Sequence, residues 1–191
     1  MKGIVFTEFL EMMEERFGLE VADRVIEGSR LKSGGAYTAV GTYDHRELLQ
    51  LVSQLSQIIG TAVPDLVRAF GEHLFGRFVS AYPQFFTDVT STFEFLTGIE
   101  GHIHVEVRKL YPDAELPRFT CRKLSPERME MIYRSSRPFT DFAEGLIRGC
   151  AAHFGESIRV ERHDLSQGAE HAARFTLTSM ASVPACTIPS C

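Results

Sequence analysis

The stretch Tyr133-Arg134-Ser135-Ser136-Arg137, downstream of Ile103-His104-Val105-Glu106-Val107-Arg108-Lys109-Leu110-Tyr111-Pro112, decides how this chain is read. It places a hydroxyphenyl, a hydroxyl and a guanidinium at alternate positions. In an extended backbone alternate side chains point the same way, so Tyr133, Ser135 and Arg137 converge on one anion. Arg137 offers a bidentate fork for a carboxylate, and the two hydroxyls add further donors. The upstream stretch has a helical pattern and brings an imidazole, His104, into the neighbourhood.

The bulk properties set the frame for that pocket. At 191 residues the chain fits one domain with a core large enough to enclose a ligand. A hydrophobic fraction of 44% with 24% charged residues belongs to a globular protein and not to a disordered one. The net charge of -5 and the lack of any Lys/Arg run argue against nucleic-acid binding. No apolar stretch approaches the ~20 residues that span a bilayer, so membrane insertion is not expected. The first residues lead straight into Glu8, Glu11, Glu14 and Glu15, an acidic amphipathic helix and not a signal peptide; a cytoplasmic location is the expectation. Cys121, Cys150, Cys186 and Cys191 have no paired spacing and read as reduced thiols. Fifteen Phe and no Trp suit the wall of a dry cavity as well as an ordinary core, and so decide nothing alone.

Along the chain, residues 4–17 form a helix with an apolar stripe of Val5, Phe9, Met12, Met13 and Phe17, stopped at Gly18. A short helix follows at about 21–26. Asp44 caps a helix over 45–59 that Gly60 ends, and Pro64 opens another through about residue 80. Ser91-Thr92-Phe93-Glu94 is a capping-box pattern. It starts one long helix that carries His104 and ends near Leu110. After Pro117 the pattern changes. Residues 118–123 and 128–133 read as two strands, 138–154 as a helix, and 158–163 with 172–178 as a second strand pair. The chain is therefore α+β, with a helical N-terminal half and a mixed C-terminal half sharing one core. The last residues read as a loose tail.

Of the seven histidines, His45, His73, His102, His104, His153, His163 and His171, spacing favours one as a metal ligand. Residues two apart on a helix diverge by about 200°, so His102 and His104 face different sides. His104 borders the stripe of Leu96, Ile103, Val107 and Leu110, whereas His102 lies on the polar side with Glu106. A buried neutral imidazole is a standard ligand to haem iron. Beside an anion-binding triplet, it makes the pocket one for a flat, iron-containing dicarboxylate, which is haem. A zinc site from His163, Asp164 and His171 lacks a thiolate and is the weaker reading.

At these residues the chain resembles the bacterial haem-nitric oxide/oxygen binding (H-NOX) family, whose domain is also found in soluble guanylate cyclases. The resemblance runs from Met1-Lys2-Gly3 to about Thr178. It rests on the His104…Tyr111-Pro112 spacing, the Tyr133-x-Ser135-x-Arg137 triplet and Gly145-Leu146-Ile147. It implies one sensor domain over 1–180, with a distal helical subdomain at about 1–62 packed on a proximal subdomain at about 63–180. The latter has long helices and a small antiparallel sheet, haem b lies buried between the two, and a flexible tail covers 181–191. His104 becomes the sole protein ligand to ferrous iron. Tyr133, Ser135 and Arg137 hold the propionates, Pro117 presses on the porphyrin, and Val5 lies near the opposite edge.

The resemblance also bears on ligand choice. Oxygen-binding members have a distal tyrosine, because a hydroxyl donor stabilises the partial negative charge on bound dioxygen. Counting back from Gly145, that position here is Phe142, with Phe9 and Leu74 as supporting positions and Phe78 and Leu146 continuing the wall. Tyr43 and Tyr82 are read as outside the pocket. The expected function is a sensor of nitric oxide (also binding CO) that excludes oxygen, with no catalytic activity. Family cysteines that hold zinc correspond to Asp164 and Ala172 here, so no zinc is expected. Signalling is expected in trans, to a histidine kinase or a cyclic-di-GMP synthase or phosphodiesterase, through breakage of the Fe–His104 bond. The alternatives are an oxygen sensor or carrier, which Phe142 disfavours; a haem enzyme such as a peroxidase, which would want a distal His and Arg pair that the mapped pocket does not offer; and a haem-free interaction module, which leaves the triplet without a purpose.

Overall fold

The computed structural model describes residues 1–180; the expected tail at 181–191 lies outside them. The first half is helical: α1 (Gly3–Phe17), α2 (Leu19–Gly28), α3 (His45–Ile59) and α4 (Val63–Ala81). Each element follows from its sequence. In α3, Leu48, Leu51, Val52 and Leu55 recur at helical spacing and are buried. The Asp44 side chain caps α3 by accepting the Arg46 N–H, and Gly60 ends it. Between α2 and α3, residues 29–44 are tied down by the buried Glu47, whose carboxylate accepts hydrogen bonds from Ser33 and from the Tyr37 hydroxyl (2.8 Å).

The second half holds α5 (Thr92–Gly98), α6 (His104–Leu110), β1 (Arg118–Ser125), β2 (Arg128–Ser135), α7 (Thr140–His153), β3 (Ile158–Asp164) and β4 (His171–Ser179). The architecture is α+β, as expected. Both expected strand pairs join one antiparallel sheet of order β1-β2-β4-β3, because β2 pairs with β4 through Tyr133↔Ala173. The β2 burial alternates strictly, turning Met129, Met131 and Tyr133 inward.

Two expectations need correction. The long helix expected from residue 91 to 110 is continuous but not regular: α5 ends at Gly98, a single π turn spans Ile99–Ile103, and α6 begins at His104. Gly98 and Gly101 carry no side chain to hold a regular helix together, and the extra residue of a π turn rotates everything after it. Nor is there one shared core. Phe6, Phe9, Met12, Leu51, Leu55 and Phe70 belong to a helical core, and Phe95, Met131, Ile147, Phe175 and Leu177 to a second one on the sheet.

Helices α4 and α7 contribute to both cores. On α4, Leu66, Phe70 and Leu74 belong to the helical core and Phe75 to the sheet core. Contact between α4 and α7 requires Gly71 and Gly145. A Cβ on Gly145 would lie 2.1 Å from the Arg68 carbonyl oxygen, and one on Gly71 2.5 Å from that of Phe142. Beside this crossing, Glu144 on α7, only 5% exposed, faces Arg68 Nε at 3.0 Å, Arg148 at 2.8 Å and Arg162 at 3.2 Å. These three cations compensate a carboxylate whose isolated burial would be costly.

The cysteines at 121 and 150 are both free thiols. Burial raises each above the ordinary thiol value, Cys121 to about 11 and Cys150 further.

Two outcomes follow from this packing. Gly145→Ala should lose about 1–3 kcal/mol in urea unfolding through overpacking against backbone. Gly76→Ala, on the same helix pair but with nothing within 4 Å of its new Cβ, should gain about 0.5–1 kcal/mol. For the buried thiol, iodoacetamide at pH 8 should leave Cys150 unlabelled in native protein and label it in urea, read by peptide mass spectrometry; rapid native labelling would contradict its burial.

Candidate functional site

Between the two cores lies a cavity of about 370 Å³. Eight of the chain's fifteen Phe line it, which answers the composition question: the excess of Phe is mainly a cavity wall. The polar lining is concentrated in two places, around His104 and around the mouth.

His104 is 8% exposed and opens α6, directly after the π turn. Its Nδ1 lies 3.0 Å from Glu100 Oε1, and the same oxygen accepts the Phe119 backbone N–H at 2.9 Å. Burial lowers the His104 pKa, while the Glu100 carboxylate pulls it back up. With Nδ1 committed, Nε2 is the nitrogen left for a metal. The Phe119 ring packs at 5.8 Å from the imidazole, and Pro117 lines the cavity just ahead of β1. His102 is exposed and meets Phe85 edge-on.

Tyr133, Ser135 and Arg137 all line the cavity. Strand alternation accounts for the first two only, because β2 ends at Ser135 and Arg137 lies in the bend beyond it. The bend is held locally: the Arg137 N–H donates to Ser135 Oγ at 3.0 Å, and the Tyr133 hydroxyl donates to the Arg137 carbonyl at 3.4 Å. The guanidinium of Arg137 pairs with Glu115. Its charge spreads across the mouth. Burial first, and then Arg137, hold both the Met1 ammonium and His45 below their ordinary values. Residues 111–117 strap the mouth and are tied to the helical half through Lys2, which sits 2.8 Å from Asp113 Oδ1 and 5.0 Å from the centre of the Tyr111 ring.

The wall contributed by α1, α4 and α7 includes Val5, Phe78, Phe142 and Leu146. Phe9 and Leu74 are not in the lining; both are fully buried in the helical core. Phe9 meets Phe70 at 5.0 Å and Phe70 meets Phe142 at 5.3 Å, so Phe9 stands a ring behind the surface. Tyr43 is absorbed into a stack with Phe6 and Tyr37. Tyr82, read from sequence as outside the pocket, does line the cavity, between Phe78 at 6.2 Å and Phe85 at 5.9 Å. Burial and then the nearby Tyr111 raise the pKa of its hydroxyl.

Sequence reasoning also passed over Glu100 and Glu115. Glu100 had a signal, its place four residues before His104, where helical neighbours meet. Glu115 had none, since only the strap brings it to Arg137. Among the described residues, no group of three or more His, Cys, Asp or Glu is placed to hold a metal ion, and His163, Asp164 and His171 form no such cluster.

The donor set fits haem. A buried, neutral imidazole has one nitrogen available to iron, carbon-rich walls suit a porphyrin, and a cationic mouth with two hydroxyls suits propionates.

A family model described as Haem-NO-binding matches residues 2–162. The fold is similar to the unliganded Fe(II) H-NOX protein from K. algicida (39% identity, 96% of this chain and 98% of that chain, TM-score 0.88). It is also similar to the H-NOX from Shewanella woodyi in the Fe(II)CO state (42% identity, both chains covered in full, TM-score 0.82). A third similar structure is the H-NOX protein from S. oneidensis in the Fe(II)NO state (26% identity, 94% and 99% covered, TM-score 0.85). No curated protein sequence matches the chain. The geometry, the family match and these similarities agree: the chain belongs to the haem-NO-binding, or H-NOX, family.

Proposed function

We propose that this protein is a nitric oxide sensor that disfavours oxygen and signals by releasing His104 from haem iron. The observation that carries the reading is the division of the cavity: an imidazole with a free Nε2 on α6, and Val5, Phe78, Phe142 and Leu146 from the helical wall. Haem b, when bound, supplies a ferrous iron that takes nitric oxide or CO. Tyr133, Ser135 and Arg137 hold its carboxylates, with Arg137 turning from Glu115 to a propionate. Pro117 would press on it from the side of His104, and Val5 would lie near the opposite edge. Phe142 offers no hydrogen to a charged ligand, so oxygen gains nothing from that position, whereas nitric oxide depends less on such help.

Release of His104 frees α6 at its first residue. The displacement passes along α6 to residues 111–117, then to Lys2 at the start of α1 and to Arg137 ahead of α7. The helical core thereby shifts against the sheet core, with α4 and α7 as the common axis. The changed surface is read in trans by a histidine kinase or, as the second candidate, a cyclic-di-GMP synthase or phosphodiesterase; the family resemblance supports this choice. The protein performs no chemistry of its own in this reading, and its place of action is the cytoplasm.

A second reading, an oxygen-binding sensor, draws on one observation: Tyr82, which carries a hydroxyl, is among the residues that line the cavity.

Visible spectra of dithionite-reduced protein separate the two. The expected result is a five-coordinate ferrous spectrum with no stable oxygen-bound form in air, converted by nitric oxide to the form lacking histidine ligation. A stable change in air that Tyr82→Phe abolishes would establish the second reading. Absence of a Soret band after haem reconstitution would refute both. Phe142→Tyr should raise oxygen affinity about ten- to hundred-fold, which is what a hydrogen bond to a charged acceptor of about 1.5–3 kcal/mol supplies. His104→Gly should lock the partner in its response to nitric oxide; a variant acting like the unliganded protein would contradict signalling by release.

A further inference from the structure

Glu100 is not explained by helix packing or by the mouth of the cavity. It lies within the single π turn of the chain's described residues, four positions before His104. One oxygen of its carboxylate, Oε1, is 3.0 Å from His104 Nδ1 and 2.9 Å from the Phe119 amide nitrogen. A carboxylate only accepts, so the proton between the two side chains sits on Nδ1. The strand amide holds this oxygen in place. Glu100 is therefore fixed from a different element, β1, and does not swing freely with its own helix. The Phe119 ring, 5.8 Å from the imidazole, closes the same side.

We propose that Glu100 is the positioning residue that sets the strength of His104 as an iron ligand. This rests on the haem reading above. Accepting the Nδ1 proton fixes the tautomer that presents Nε2 to the cavity. An anionic acceptor also draws that proton more strongly than a neutral carbonyl does, which makes Nε2 the better electron donor. The consequence is specific to a sensor that works by ligand release. A stronger His104 bond resists rupture, so Glu100 sets the threshold at which nitric oxide triggers the change. The π turn belongs to the same device, because it allows Glu100 to reach Phe119 while His104 opens the following helix toward the cavity.

The rival explanation is that Glu100 merely anchors β1 by accepting the Phe119 N–H. Glu100→Gln separates the two, since the amide oxygen still accepts both hydrogen bonds but the charge is gone. Three measurements decide the matter. Resonance Raman of the reduced holoprotein should show the Fe–His104 stretch at lower frequency in Glu100→Gln and lower again in Glu100→Ala. Stopped-flow mixing with nitric oxide should show His104 release about ten-fold faster in Glu100→Gln, the usual scale of an outer ligand partner. In protein without haem, nitrogen-15 NMR should find His104 protonated on Nδ1 in the wild type and a tautomer mixture in Glu100→Ala. An unchanged stretch and release rate in Glu100→Gln, with the unfolding midpoint lowered only in Glu100→Ala, would assign Glu100 to strand anchoring and overturn the proposal. A wild-type holoprotein with no Fe–His104 stretch would overturn the haem reading itself and this proposal with it, so the two failures are distinguishable.

Discussion

The backbone-to-backbone approach of α4 and α7 at Gly71 and Gly145 is the constraint on which the rest of the molecule depends. No other residue type lets the two helices come so close, because an added Cβ would stand 2.1–2.5 Å from a carbonyl oxygen of the partner helix. The intimacy is reinforced by Glu144, whose buried charge is matched by cations on α4, α7 and β3. A spine packed this tightly lets each helix serve two hydrophobic cores along its length. The molecule therefore has two cores around one axis, and the cavity is the space they leave between them.

That arrangement explains why the site draws on so many elements. The helical core supplies the apolar wall, the sheet supplies the anion-binding residues, and the segment between α5 and β1 supplies the imidazole. Three ties hold the edges of the cavity, Lys2 with Asp113, Arg137 with Glu115 and Glu100 with Phe119, and the first of them joins the strap to the helical half. Two of these are ion pairs with an exposed carboxylate, worth little individually and easily exchanged. Ties of that kind suit a mouth that must open to a cofactor and let two halves shift. The third, between a half-buried carboxylate and a strand amide beside His104, suits a fixed geometry. The distribution of strong and weak contacts thus parallels the proposed division between a rigid ligand support and a movable frame.

Much of this was legible before any coordinates. Asp44, Gly60 and Pro64 mark helix ends by local chemistry, and the structure puts the ends there. The Phe excess marked a dry surface without saying whether it was core or cavity. The long helix differs from its sequence pattern at Ile99–Ile103, where the backbone around Gly98 and Gly101 takes a π turn that side-chain periodicity does not register. Tyr82 was misplaced for a related reason: its position after α4 gives no sign that the cavity extends so far.

The sequence by itself determined the family and the α+β class, and it nominated the residues proposed to hold iron and carboxylates, because those depend on side-chain chemistry and on spacings within a helix or strand. Only the tertiary structure decided which wall each aromatic ring faces, that Arg137 rejoins Tyr133 and Ser135 after the strand has ended, and that Glu100 stands behind His104. These are contacts between segments distant along the chain. Their geometry is set by how closely two helices approach and where a sheet places one amide, and neither quantity is written in any local pattern of residues.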